Sequence, residues 1–149
     1  MDPALTTDFR EFLRSLNEHR VDYLVVGGYA VGYHGYPRVT GDIDVWVRPT
    51  PDNAARIVDA LVAFGFGTAD ALSPSLFTRA DSLVRMGLPP NRVEILTTIS
   101  GVSFDACWAT RVDDMWDGVP VHILSLADLK ANKRASGRAK DQADLDELP

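Results

Sequence analysis

The chain has 149 residues, enough for one domain with a sizeable core, and its 46% hydrophobic and 24% charged residues are the balance of a globular protein. Its single cysteine, Cys107, excludes an internal disulfide and a multi-cysteine zinc site. A net charge of -6 would repel a long polyanion, which disfavours a broad nucleic-acid-coating surface.

The amino-terminal residues predict a cytoplasmic protein. They place an acid at position 2 and show no apolar stretch behind a basic head, so the pattern of a secretion signal is missing. No later segment has the apolar length that a membrane span needs, and the lone cysteine fits a reducing compartment.

The first third of the chain predicts a helix, a buried strand and a glycine turn. Apolar residues recur at helical spacing in residues 7–17, with Thr7 as the predicted cap. Residues 23–26 form an apolar run typical of a buried strand, which ends at Gly27 and Gly28. A short helical turn is expected after the glycines.

The middle of the chain predicts three strands and one helix. Residues 42–47 and 51–64 indicate a strand and a capped helix. Residues 67–80 suggest a loop and give no clear signal for its conformation. Residues 82–86 and 92–98 indicate two strands joined by a turn rich in glycine and proline.

The last part of the chain predicts a strand and two helices. Residues 119–124 indicate the strand, and Ser125 begins a capped helix that ends near Gly137. A final helix begins near Lys140. The predicted architecture is α+β, a mixed β-sheet packed with helices in a single domain, because no repeat or linker divides the chain.

Two aspartates lie close together on the predicted strand 42–47. Side chains alternate along a strand, so Asp42 and Asp44 project from one face while Ile43 and Val45 face the core. From α-carbons about 6.5–7 Å apart, two carboxylates can converge on a pair of magnesium ions about 3.5–4 Å apart. The alternative is that these aspartates form salt bridges or face solvent.

The pair Gly27-Gly28 strengthens the case for a site at these aspartates. Paired glycines between a strand and a helical turn let backbone amides approach a phosphate, although such a pair is also common in tight turns. Thirteen residues separate Gly28 from Asp42, and the two features together are much less frequent by chance than either alone.

Two segments carry a resemblance to a known family. Residues 25–47 read VVGGYAVGYHGYPRVTGDIDVWV and resemble the signature of the DNA polymerase β-like nucleotidyltransferases, in which Gly-Gly or Gly-Ser precedes Asp-x-Asp. Residues 126–148 read LADLKANKRASGRAKDQADLDEL and are similar to the tail of the small bacterial minimal and toxin-type members. The resemblance implies a nucleotidyltransferase-like fold, with Asp42 and Asp44 as metal ligands and Gly27 and Gly28 on phosphate.

The resemblance also implies a third carboxylate on a neighbouring strand. Within residues 92–98, alternation turns Val93 and Ile95 inward and leaves Glu94 on the other face, which makes Glu94 the candidate. Many members carry aspartate at that place. The alternative is an exposed strand glutamate paired with Arg92.

A compact group of cations lies near the carboxyl terminus. Five cations and no acid occur between Lys130 and Lys140, on a chain that is otherwise acidic. Lys133 shares a helical arc with two leucines, and the resemblance of the tail implies that it approaches the triphosphate. Arg38 is a second candidate for nucleotide contact, with a loop salt bridge as its alternative.

These candidates predict a magnesium-dependent enzyme with two ions in its site. It would transfer a nucleoside monophosphate from a nucleoside triphosphate such as ATP to an acceptor hydroxyl on RNA or protein. The resemblance adds a place in a toxin–antitoxin system, with a cognate toxin or antitoxin as partner. The alternative function is a catalytically weak or inactive nucleotide-binding partner of the same fold.

Overall fold

A computed structural model describes residues 3–35, 41–68, 70–88 and 90–149. Within these residues the chain forms six α-helices and six strands. The helices are α1 (Thr7–Glu18), α2 (Gly27–His34), α3 (Pro51–Phe64), α4 (Phe104–Ala109), α5 (Leu126–Ser136) and α6 (Ala139–Glu147). The strands are β1 (Tyr23–Val26), β2 (Asp42–Val47), β3 (Leu83–Met86), β4 (Arg92–Leu96), β5 (Val112–Trp116) and β6 (Val119–Ile123).

All six strands join one mixed sheet, in the order β3-β4-β2-β1-β6-β5. The pairs β2–β4 and β1–β6 are parallel, while β1–β2, β3–β4 and β5–β6 are antiparallel. Strand β1 lies at the centre of the sheet, and all four of its residues are apolar and buried. The sheet therefore has a buried centre formed by β1 and β2, with hairpins on both sides.

The helices cover this sheet and close the core. Helix α1 packs against α3 and β6, α2 packs against β1 and β2, and α5 packs against α6 and α2. Phe9, Phe12 and Leu13 on α1 are fully buried, as the helical spacing predicted. Across the described ranges, no helix is both long and apolar enough to span a bilayer.

Capping side chains set the helix boundaries. The Thr50 and Ser125 hydroxyls accept hydrogen bonds from the backbone amides of Asn53 and Asp128, which confirms the predicted starts of α3 and α5. Helix α1 differs from its prediction in one respect. Its cap is Thr6, whose side chain accepts from the Phe9 amide, so Thr7 is the first helical residue.

Three elements were not predicted: a short 3-10 helix, Pro74–Phe77, in the segment expected to be a loop, helix α4 and strand β5. Helix α4 has only six residues, too few for an apolar period to become visible in the sequence. Strand β5 lies at the edge of the sheet and carries the adjacent acids Asp113 and Asp114. Among the described strands it pairs with β6 alone. Its weak apolar pattern reflects this half-exposed position, because an edge strand needs little burial on its outer side.

Candidate active site

The parallel pairing of β2 and β4 brings the candidate carboxylates together. Asp44 lies opposite Glu94 in the register, and Asp42 lies opposite Arg92. Because residues opposite one another in a sheet point to the same face, Asp42, Asp44 and Glu94 share one face. Ile43, on the other face, is fully buried.

Gly27 brings the start of α2 against one of these carboxylates. It is the first residue of the helix and has a φ of +65°, in the left-handed region. A β-carbon at this position would lie 2.1 Å from Oδ2 of Asp44, so no larger residue fits without moving the carboxylate. Gly28 follows within the first turn of α2, where it is half-buried. The first glycine of the pair thus lies directly against Asp44 of the Asp-x-Asp strand.

Asp44 has an unusual electrostatic environment. Burial, a hydrogen bond to Glu94 and the negative charges of Glu94 and Asp42 raise the pKa of Asp44 from 3.8 to about 7. The exposed Lys140 on α6 partly offsets this rise in pKa. Oδ1 of Asp44 is buried and has no hydrogen-bond partner in the described part of the chain. A cation near this carboxylate would relieve the crowding of negative charge.

Two arginines neutralise the neighbouring carboxylates. Nη2 and Nε of Arg92 donate to Oδ2 and Oδ1 of Asp42 at 2.8 and 3.2 Å, and this pairing raises the pKa of Arg92. Nε of Arg85 on β3 donates to Oε1 of Glu94 at 2.9 Å, whereas Arg92 is 3.9 Å from the same oxygen. The salt-bridge alternative for Glu94 is therefore present in the structure, chiefly through Arg85.

A cleft of about 770 Å³ opens beside Asp44 and Glu94. Its walls come from β3, β4, the start of α2 and the face of α5, and Arg138 follows α5 at the rim. Cationic and anionic groups both line it, which suits a substrate that carries phosphates and a bound cation. The residues that line the cleft include Gly27, Asp44, Arg85, Glu94, Lys133 and Arg138.

Lys133 reaches the cleft wall but its charge is already paired. Its side chain is 7% exposed, and Nζ lies 3.0 Å from Asp141 and 3.2 Å from Asp144 on α6. Burial tends to raise the pKa of Asp141, but hydrogen bonds from Ser136, Arg138 and Lys133 outweigh it and hold that pKa below its ordinary value. Lys133 is buried, as its place on the leucine-bearing arc predicted, but its charge meets acids of the following helix. Its contact with a triphosphate stays a prediction.

The remaining candidates have different positions. Arg38 lies outside the described residues. Lys130 is partly exposed and donates to the carbonyl of Pro149. Lys140 and Arg85 were not singled out from the sequence, although both act on the carboxylates. The contact of Arg85 with Glu94 could have been found from strand pairing, because the β3–β4 hairpin places the two residues opposite one another.

The carboxylates of Asp42, Asp44 and Glu94 offer the kind of donor atom that magnesium binds. Magnesium prefers carboxylate oxygens, and three carboxylates on one sheet face, one with an unpartnered buried oxygen, supply them. Within the described ranges no three acidic, histidine or cysteine side chains are already arranged to hold a metal ion. Asp42 is instead turned to Arg92, so metal binding at all three carboxylates requires this pair to open.

A comparison with solved structures supports the fold. The chain is similar to a crystal structure from Thermotoga maritima described as a candidate nucleotidyltransferase, with a TM-score of 0.60, 18% identity and coverage of 93% of this chain and 88% of that one. No protein-family model matches the chain, and no curated protein matches it significantly. The molecule therefore has a nucleotidyltransferase-like fold, as the sequence predicted.

Proposed function

We propose that the protein is a magnesium-dependent nucleotidyltransferase whose site contains Asp42, Asp44 and Glu94. The observation that carries this proposal is the contact of Gly27, at the start of α2, with the carboxylate of Asp44, which itself lies opposite Glu94. A phosphate binds readily at the start of a helix, and a carboxylate pair beside it suits a cation shared with that phosphate. The similar fold of the Thermotoga protein supports the same class of reaction.

In the proposed reaction an acceptor hydroxyl oxygen attacks the α-phosphorus of a nucleoside triphosphate such as ATP. The bond from phosphorus to the bridging oxygen breaks, and pyrophosphate leaves. Magnesium ions held by the three carboxylates would balance the negative charge that develops on the phosphates.

The chain's own groups have separate tasks in this scheme. Gly27 lets Asp44 approach the start of α2, and Gly27 and Gly28 are the candidates to hold phosphate through their backbone amides. The exposed Lys140 contributes positive charge near Asp44. Glu94 is the candidate to accept the proton of the acceptor hydroxyl, because its carboxylate lines the cleft beside Asp44. Lys133 and Arg138 line the cleft and add positive charge at its α5 side. Arg38 stays a candidate for nucleotide contact.

Transfer of a label from the α-phosphate tests this function. The protein is incubated with magnesium, each α-labelled triphosphate in turn, and separate RNA and protein fractions of a cell extract. We expect one fraction to become labelled by the wild-type protein and not by Asp44→Asn. Equal labelling by both proteins would contradict the assignment of Asp44.

A toxin–antitoxin role is a finer proposal that rests on the resemblance of residues 25–47 and 126–148. It predicts that expression of the wild-type chain alone changes bacterial growth, or that the chain suppresses the toxicity of a partner. Growth curves of cells that express the wild type or Asp44→Asn separate a catalytic effect from one due to protein binding.

One observation favours a second candidate, a nucleotide-binding partner protein with little or no catalysis. Both oxygens of Asp42 accept hydrogen bonds from Arg92, so Asp42 is not open to metal while this pair is formed. This candidate predicts triphosphate binding without release of pyrophosphate. A coupled pyrophosphate assay beside a binding titration distinguishes the two.

A further inference from the structure

Arg92 and Asp42 form a two-point contact between β4 and β2. The parallel register places the two residues opposite one another, and two nitrogens of one guanidinium donate to both carboxylate oxygens, at 2.8 and 3.2 Å. Such a fork-to-fork pair is the strongest geometry available to an arginine and a carboxylate. A cation that binds Asp42 through these oxygens must first displace the guanidinium.

The Arg92–Asp42 contact differs in its exposure from the Lys133–Asp141 ion pair. The side chains of Arg92 and Asp42 are 32% and 26% exposed, so the guanidinium can turn into water without leaving a buried charge. Lys133 and Asp141 are 7% and 1% exposed, and separating them would strand charges in the interior. The Arg92–Asp42 pair is therefore suited to exchange, whereas the Lys133–Asp141 pair is suited to hold α5 on α6.

Arg92 also lies near a second carboxylate of the site. Its Nε is 3.9 Å from Oε1 of Glu94, which Arg85 contacts from the other side. Two guanidinium groups thus offset two of the three acidic side chains when no metal is bound. The chain carries its own substitute for the positive charge that a cation would bring.

We propose that Arg92 is a positioning residue that holds Asp42 in the metal-free protein and competes with a divalent cation for its two oxygens. The inference rests on the proposed function, because it takes these carboxylates as metal ligands. Its consequence is that Arg92 lowers the metal affinity of the free protein. A purely structural cross-strand pair would have no such effect.

Direct binding of Mn²⁺ to the nucleotide-free, full-length protein tests the proposal. Mn²⁺ accepts the same oxygen ligands as magnesium, and its unbound form is measured by electron paramagnetic resonance. We expect Arg92→Met to bind Mn²⁺ about tenfold more tightly than the wild type, and Arg92→Lys to be intermediate because lysine lacks the fork. Arg14→Met is the matched control, since it removes the same charge from an exposed position on α1.

The double variant Arg92→Met with Asp42→Asn should lose the increase in Mn²⁺ affinity, because the Asp42 carboxylate that the loss of Arg92 frees is then absent. If the wild type binds Mn²⁺ and Arg92→Met binds it equally or less tightly, the proposed role of Arg92 is wrong, although the metal site itself stands. Absence of Mn²⁺ binding in the wild type and in both Arg92 variants would overturn the metal site as well. Arg92→Lys keeps the charge, so it answers the question even if Arg92→Met unfolds.

Discussion

At the scale of single residues, the site depends on close contacts that tolerate little change. Gly27 has both a left-handed backbone and a carboxylate oxygen where a side chain would begin. Asp44 is half-buried beside two other acids. Each feature leads to a test that separates a role in the site from an ordinary structural role.

Gly27→Ala is expected to abolish nucleotide transfer. Its β-carbon would overlap Oδ2 of Asp44, so the carboxylate must move. The left-handed backbone alone costs an alanine about 1–2 kcal/mol of stability. Gly118→Ala is the matched control, because Gly118 has a φ of +79° and open space around it. Urea unfolding and transfer rates measure the two effects. Comparable loss of transfer in both variants would refute the contact as the cause.

Glu94→Gln is expected to reduce transfer by at least a hundredfold if Glu94 is the third carboxylate. An amide keeps the shape but binds a cation more weakly and cannot take a proton. Arg85→Met removes the salt-bridge partner and keeps the carboxylate, so it should have a much smaller effect. Similar small effects of both substitutions would show that Glu94 serves only its pair with Arg85.

The stability of the metal-free protein should fall as pH rises through about 7. A carboxyl with a raised pKa binds its proton more tightly when folded, so its favourable contribution is full below pH 3.8 and is lost above about 7. A pKa raised from 3.8 to about 7 corresponds to at most about 4 kcal/mol. Urea unfolding in a chelator at pH 5 and pH 8, for wild type and Asp44→Asn, measures the difference. A gap between the two proteins that does not change with pH would argue against this environment.

At the scale of elements, alternation and capping predicted most of the secondary structure. They located β2, α3 and α5, together with the shared face of the two aspartates, because these features depend on local sequence. Strand β5 and helix α4 were missed, since one is half-exposed and the other very short. The pairing of Glu94 with Arg85 depends on strand register, which no local pattern contains.

Helix α5 illustrates the same limit and gives a further prediction. The helical arc correctly placed Lys133 inward, but its partners on α6 are set by tertiary packing. Lys133→Ala should cost about 3–5 kcal/mol, because it leaves buried acids without their cation. Lys130→Ala should cost little, since Lys130 is partly exposed. Urea unfolding of both variants measures this difference. Equal stability would show that the buried pair does not hold α6.

Triphosphate binding by the same two variants tests the second role expected of Lys133. If Lys133 also contacts the nucleotide, its removal weakens binding roughly ten- to hundredfold at a temperature where the variant stays folded. Asp144→Asn, which disturbs the ion pair and keeps the lysine, is the control. An equal loss of triphosphate affinity in Lys133→Ala and Asp144→Asn would show that the position of α6, and not a contact from Lys133, causes the loss.

At the scale of the whole molecule, the fold places the start of α2, strands β3 and β4, Asp44 of β2 and one face of α5 around one cleft. The net charge of the chain is -6, but the cations Arg85, Lys133 and Arg138 line this cleft. Such a distribution suits a small anionic substrate that arrives with a divalent cation, and it does not suit a long polyanion. The fold and the charge pattern therefore favour the same ligand.

Calorimetric titration with a non-hydrolysable nucleoside triphosphate tests the central claim most directly, because it needs no knowledge of the acceptor. We predict that the wild-type protein binds the triphosphate in magnesium, binds it at least tenfold more weakly in a chelator, and that Asp44→Asn loses the magnesium-dependent part. Binding that is equally tight without magnesium, or unchanged in Asp44→Asn, would contradict a site in which these carboxylates hold metal against the phosphates.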